Sequence, residues 1–370
     1  MTGGSRTTPL ANKLKAQIRS DGPMTVAAFV SACLSDPEHG YYRCMPAIGA
    51  GGDFVTAPEI SQVFGELIGL WCAVVWQQMG APSALNLVEL GPGRGTLIAD
   101  VLRATRIVPG FHNALSVHMV ETNAALVPHQ KAALSPYGTV RATWHGNVGD
   151  AARGLSQNSA PFLMIANEFL DTCPAEQYIV ENGRPILRGV GLDSNGELTF
   201  TLLTQHEAPS DIALLETARD GDCIEIQDFS FFAPFQSLMA ERLGAALFID
   251  YGSARSHPAD TLQAVQNQQR CSPFSSPGEA DLSFQVDFAR FRASALSVPG
   301  LAVDGPQPQA GFLGQLGIVE RASRLMSANP DKAGAIEIGV QRLMAPVGMG
   351  SRFLAIGVRS AALPPLPGFE

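Results

Sequence analysis

Apolar residues are not spread evenly along this chain. Residues 61–79 are almost wholly apolar, with Glu66 the single charged member, and predict one long buried helix. Its apolar centre, residues 67–76, is about half of the roughly 20 residues a membrane-spanning helix needs, so it reads as a core helix. From residue 85 the pattern changes to short apolar runs, over 85–90, 115–120, 139–144, 161–166 and 244–251. Helix-length segments stand between several of them, at 96–106 and 123–134. Near-continuous apolar strands alternating with helices predict a parallel sheet covered on both faces. Helices over 284–296, 310–328 and 333–343, then a strand over 353–358, complete this part.

Two stretches break the pattern. Residues 177–180, 185–190 and 198–203 alternate, with turn signals at Asn182-Gly183 and Ser194-Asn195-Gly196, and predict antiparallel strands. Residues 253–280 are polar and rich in Pro and Ser and read as loop. At the start, a tail runs into a first helix, and Thr25 is placed to cap a second helix through Val30 and Leu34. The expected organisation is therefore α/β: a Rossmann-like sheet domain over 81–360, with an antiparallel β insertion at about 173–235 and a helical substrate region at about 253–345. A helical N-terminal segment with a cofactor lid precedes it over 1–80, and a tail follows over 361–370.

Apolar residues make up 46% and charged residues 16%, which supplies a sizeable core. The net charge of −9 argues against nucleic acid, which demands a basic face. The six cysteines include no CxxC pair, and the histidines lack ligand spacing, so no zinc site or other metal is expected. No Ser/His/Asp arrangement is recognisable either. The first 20 residues carry no apolar signal region. Reduced thiols, a cytoplasmic location and no membrane insertion are the corresponding expectations.

The chemistry starts at Glu89-Leu90-Gly91-Pro92-Gly93-Arg94-Gly95, where a strand ending in an acid meets a glycine loop and then a helix. Glycines let backbone approach a ligand without Cβ clashes, and ligands of open α/β sheets bind beyond the carboxyl ends of the strands. Dinucleotide sites favour G-x-G-x-x-G. The spacing here is G-x-G-x-G with Glu89 two residues ahead, the pattern of S-adenosyl-L-methionine-dependent methyltransferases. A second acid should end the next strand and hold the ribose, and Glu121 stands there. The alternatives at this point are a structural turn and a nicotinamide site.

Asn167-Glu168-Phe169-Leu170-Asp171 follows the fourth strand and puts an amide and two acids on the cofactor side. Carboxylates suit a cationic acceptor such as guanidinium, which they grip in a bidentate way and whose proton they can take. A helix cap with ordinary surface acids is the plainer alternative. Asp250, in Ile249-Asp250-Tyr251-Gly252, either faces the acceptor or caps the next segment. Gly52 to Thr56 and Pro58 to Gln62 read as a lid, with Asp53 toward the acceptor and Thr56 toward the cofactor, or as an ordered loop that merely packs.

Gly51-Gly52-Asp53-Phe54-Val55-Thr56-Ala57-Pro58-Glu59-Ile60-Ser61-Gln62, Phe64-Gly65-Glu66-Leu67-Ile68-Gly69 and Val88 to Leu97 resemble the MidA family. So do Ala166 to Asp171, Ile249 to Gly252, Asp260 to Val265 and Pro277 to Asp281. The resemblance runs from about residue 9 to about 358. It implies a class I methyltransferase fold with an added helical segment. Mitochondrial members of that family are complex I assembly factors that dimethylate an arginine. The resemblance therefore implies a protein substrate, with a respiratory complex I subunit and its arginine as the acceptor. The segment Gln268-Gln269-Arg270-Cys271 departs from the family's pattern and puts substrate identity in question. The resulting expectation is methyl transfer to a protein arginine. Glu89, Gly91, Gly93, Gly95, Glu121, Asn167 and Thr56 hold the cofactor, and Glu168, Asp171, Asp250 and Asp53 serve the acceptor. A binding or assembly protein on a methyltransferase scaffold is the rival reading, and a homodimer is left open.

Overall fold

The computed structural model describes residues 7–44, 56–206, 208 and 213–370. Eight strands form the central sheet: β1 (Leu85–Leu90), β2 (Leu115–Val120), β3 (Arg141–His145), β4 (Phe162–Asn167), β5 (Gly244–Ser253), β6 (Leu301–Pro308) and β7 (Phe353–Ser360) in one continuous order, and the two-residue strand Val286–Asp287, which pairs in parallel with the end of β5. The continuous order is β6-β7-β5-β4-β1-β2-β3. β7 is antiparallel to both neighbours, and the strands from β5 to β3 are parallel. The strand order reverses beside β1, between it and β4, so their carboxyl ends flank the ligand-binding crevice of an open sheet. This is the expected class I methyltransferase sheet.

Every position of β1 is buried, which explains its unbroken apolar reading. Alternate residues face opposite layers. Leu85 and Leu87 join a core with Trp71, Ile98 and Phe312; Val88 and Leu90 join another with Phe232, Phe248 and Phe291. The helix Gln62–Gln78 belongs to the first of these cores, so the sheet layers extend N-terminal of the expected boundary at residue 80. Its buried Glu66 pairs with Arg103 and Arg321, at 3.2 and 2.7 Å, and ties that helix to Thr96–Thr105 and Ile318–Ala328.

A second lobe is assembled from three distant stretches. The helices Pro9–Asp21 and Val26–Ser35 pack with strands of the expected insertion and with residues 264–284 around Phe29, Val190 and Phe284. The insertion is an antiparallel sheet of Ala175–Glu181, Arg184–Leu192, Leu198–Leu202 and Cys223–Gln227, joined by Met24–Thr25.

Three expectations need correction. Residues 253–280 are not simply loop, and 253–345 is not purely helical. Gln263–Gln266, Gln269–Cys271 and Asp281–Ser283 form a three-stranded antiparallel sheet, and β6 follows later. These strands are short and mostly polar, so they give no apolar alternation. The turn at Asn267-Gln268 has φ of 52° and 61°, with Gln266 paired to Gln269, as in a two-residue hairpin. The helix expected over 310–328 is two helices, Gln309–Gln315 and Ile318–Ala328, parted at Gly317. The terminal stretch is not a free tail, because Leu363 and Leu366 are buried in the first core.

Candidate active site

One large cleft, of about 960 Å³, opens over the carboxyl ends of β1, β4 and β5. Its floor carries Glu89, Gly91, Gly93, Asn167, Glu168 and Asp171. Thr56, Pro58 and Glu59 close one side, and the three-stranded sheet another through Gln263, Val265 and Asp281. Sequence reasoning thus put most of its candidates around a single space. Asp53 and the adjoining lid residues Gly52 to Val55 lie outside the described residues.

The glycine loop follows from backbone geometry. Gly91, Gly93 and Gly95 have φ of 64°, 53° and 83°, a region that side chains with a Cβ rarely adopt. A Cβ on Gly95 would stand 3.2 Å from the Cα of Gln130. That buried glutamine had no signal in the sequence. Its Nε2 donates to the Gly93 carbonyl at 2.7 Å and to Glu121 Oε2 at 2.9 Å, and its Oε1 accepts from Trp144 at 2.8 Å. Glu121 also accepts from the Asn123 backbone N–H at 2.7 Å. It lies at the end of β2 but is not among the residues lining the cleft. Its link to the loop runs through Gln130.

Glu89 is 2% exposed and its Oε2 has no partner among the described residues. Burial, with Glu121 and Asp100 nearby, pushes its carboxyl up to about 8. Asn167 Oδ1 and Asp171 Oδ1 are likewise buried and have no hydrogen-bond partner among the described residues. An unsatisfied buried oxygen costs about 1–3 kcal/mol, and a ligand offering donors relieves it. Three such atoms beside a glycine-lined approach fit a group carrying ammonium and hydroxyl donors.

Glu168 adopts a left-handed backbone, with φ of 54°, a strain that costs roughly 1–3 kcal/mol and clusters at functional sites. Its N–H donates to the Ile249 carbonyl at 2.9 Å, and Oε1 accepts from the Ala57 N–H at 3.0 Å and Asn167 Nδ2 at 3.1 Å. Burial lifts its carboxyl to about 7, opposed by these hydrogen bonds and by Arg342. Asp171 is raised well above the carboxylate range by burial and by Asp250, Asp281 and Glu168.

Asp250 is fully buried and faces backbone rather than the cleft. Its Oδ2 accepts from the N–H groups of Phe169 and Asp171 at 2.9 and 3.1 Å, and Oδ1 from that of Tyr251 at 2.8 Å. It caps the segment that presents Glu168 and Asp171. The sequence reading did not find Tyr42, whose hydroxyl donates to Asp281 at 3.0 Å, or Arg342 and Arg352 at the cleft wall. They come from the second lobe and the C-terminal part, far from any motif.

Comparison with known proteins gives the family and the fold. Residues 67–307 match the model of a family of S-adenosyl-L-methionine-dependent methyltransferases. The chain is 33% identical to the mitochondrial protein arginine methyltransferase NDUFAF7 homolog of Drosophila melanogaster, over 93% of this chain and 83% of that protein. It is 32% identical to protein arginine methyltransferase NDUFAF7, mitochondrial, of Homo sapiens, over 94% and 82%. A crystal structure from Burkholderia thailandensis, bound to S-adenosyl-homocysteine, shares the fold at a TM-score of 0.83 and 24% identity, covering 97% of this chain and 93% of that one.

Proposed function

The chain belongs to that family of S-adenosyl-L-methionine-dependent methyltransferases, and we propose that it methylates an arginine side chain of a partner protein. Bound in the cleft, its cofactor supplies an electrophilic methyl group on a sulfonium. In this proposal Glu89, Asn167 and the turn of Gly91, Gly93 and Gly95 hold the cofactor, with Thr56 beside them. Glu121, half-buried at the end of β2, stands behind the lining and is tied to the loop through Gln130; in this proposal it keeps lone pairs for ribose hydroxyls.

The observation that carries the acceptor assignment is the pair Glu168 and Asp171, two cleft carboxyls that burial drives toward neutrality until a cation arrives. A guanidinium matches them, because it is planar, permanently charged and bidentate. Glu168 grips one nitrogen and takes up the proton lost when that nitrogen gains its methyl group. Asp171 orients the group, and Asp250 is a positioning residue behind both. Asp53 is kept as a candidate in the adjoining segment. Alignment and exclusion of water supply most of the rate.

The proposed partner is a respiratory complex I subunit, as the family resemblance implied. The names of the curated relatives, which are mitochondrial protein arginine methyltransferases, support a protein acceptor. No helix among the described residues is long and apolar enough to cross a membrane. A reducing, cytoplasmic-type compartment, read from the cysteine pattern of the sequence, stays part of the proposal. A homodimer remains part of the proposal and is read by sedimentation velocity. The test is mass spectrometry of arginine methylation in a host with and without the gene, beside turnover by Glu168→Gln. Loss of a methylarginine without the gene, and dead turnover with intact cofactor binding in the variant, are expected. An unchanged methylarginine inventory and unaltered turnover sink the arginine assignment.

A further inference from the structure

The cleft has two electrostatic zones. Its floor is acidic, with Glu89, Glu168 and Asp171, and Asp281 adds a carboxylate from the side. Its mouth is basic. Arg270, from the three-stranded sheet, Arg342, from the helix Ala333–Met344, and Arg352, just before β7, all line the cleft and are exposed. None of the three has a carboxylate within ion-pair distance among the described residues, so their charges are free to meet a ligand. The chain as a whole has 25 basic and 34 acidic side chains. Three exposed arginines around one opening therefore run against the net charge of −9.

A cationic peptide meets repulsion at this rim before its arginine reaches the acids below. A segment with acids around the arginine is drawn in by the rim and satisfied at the floor. Guanidinium groups bind carboxylates in a planar, forked geometry, and complementary charge favours encounter and register over raw affinity. One helical turn before Arg342, on the same face, Ile338 is 69% exposed and offers an apolar contact beside the charge.

We propose that the cleft mouth docks an acidic segment of the protein substrate, with Asp or Glu residues flanking the acceptor arginine and engaging Arg270, Arg342 and Arg352. This rests on the reading of the site as a protein arginine methyltransferase, and it names the sequence context that the enzyme selects. The docking step involves no bond making.

The experiment measures fluorescence anisotropy of labelled peptides on the full chain saturated with S-adenosyl-homocysteine. The peptides carry a central arginine with aspartate, serine or lysine flanks. A fourth has aspartate flanks and alanine at the centre. The aspartate-flanked arginine peptide should bind tightest, and its affinity should fall with salt. The alanine-centred peptide should still dock. Each of Arg270→Gln, Arg342→Gln and Arg352→Gln should weaken acidic peptides by roughly 1.5- to 5-fold, the range of an exposed ion pair. Triple reversal to glutamate should shift the preference to lysine flanks. Calorimetry should show unchanged S-adenosyl-homocysteine affinity in all variants.

Equal binding of the three flank types by the unaltered protein overturns the proposal. So does a loss of cofactor affinity in the variants with peptide affinity retained, which would assign these arginines to the cofactor carboxylate. Docking of the alanine-centred peptide without methylation of any arginine peptide leaves the acidic dock standing and removes the arginine acceptor instead.

Discussion

Glu89→Gln keeps the shape of the side chain and removes its charge. In the native protein the carboxyl is raised from an ordinary 4.5 to about 8, first by burial and then by Glu121 and Asp100. Below pH 4.5 the group is neutral in both folded and unfolded chains and costs nothing. Above it the unfolded chain ionises while the folded one resists, so stability of the cofactor-free protein falls as pH rises toward 8. At about 1.4 kcal/mol per pH unit, the Glu89 contribution reaches roughly 4–5 kcal/mol by pH 8. The glutamine variant lacks this term. It should melt higher than the unaltered protein at pH 8 and equal to it near pH 4.5. Binding should show the reverse. A donor-rich cation placed on Glu89 favours the carboxylate, so cofactor binding near pH 7 should release about one proton. Losing a charged acceptor costs roughly 1.5–3 kcal/mol, which is about 10- to 150-fold in Kd. Differential scanning fluorimetry across pH reads the first effect. Calorimetry in buffers of different ionisation enthalpy reads the proton count and the affinity. Unchanged affinity with the same proton release in the variant would falsify the placement of the cofactor on Glu89.

Glu168 leads to a second pH effect. Its carboxyl must be ionised to receive a proton, so kcat/KM should rise with pH through a limb near 7, and the limb should vanish with the activity in Glu168→Gln while calorimetric cofactor affinity persists. Gln130→Leu strands the Gly93 carbonyl and Glu121 Oε2; at about 1–3 kcal/mol for each unsatisfied group, both melting temperature and cofactor affinity should drop. Asp250→Asn cannot accept equally at both oxygens, so it should loosen the Phe169 and Asp171 backbone and lower kcat by roughly tenfold or more with little change in cofactor Kd. An unchanged kcat would show that the cap does not set the geometry of Glu168. Gly95→Val meets Gln130 at a φ of 83°, and should abolish cofactor binding in the same calorimetric assay.

The central sheet was legible because its strands are buried on both faces and so read as apolar runs, and the loop because left-handed backbone demands the glycines at 91, 93 and 95. Those are local constraints, and sequence alone determined them, together with the acids at strand ends 89, 121 and 168. What it left open at Asp250 was which way the carboxylate points. That depends on where the N–H groups of Phe169 and Asp171 lie in space, and tertiary structure aims the group at them. The three-stranded sheet over the cleft was missed because strands of three or four mostly polar residues are stabilised by their partners and not by their own pattern. Gln130, Tyr42, Arg342 and Arg352 belong to no motif. They gain their significance from neighbours tens to hundreds of residues away. The sequence by itself thus determined that a glycine loop with acids at the adjoining strand ends exists here. Only the folded chain decided which acids share a space, which are spent on backbone, and that Arg270, Arg342 and Arg352 line the same cleft, because those facts are distances between segments and no local interaction encodes them.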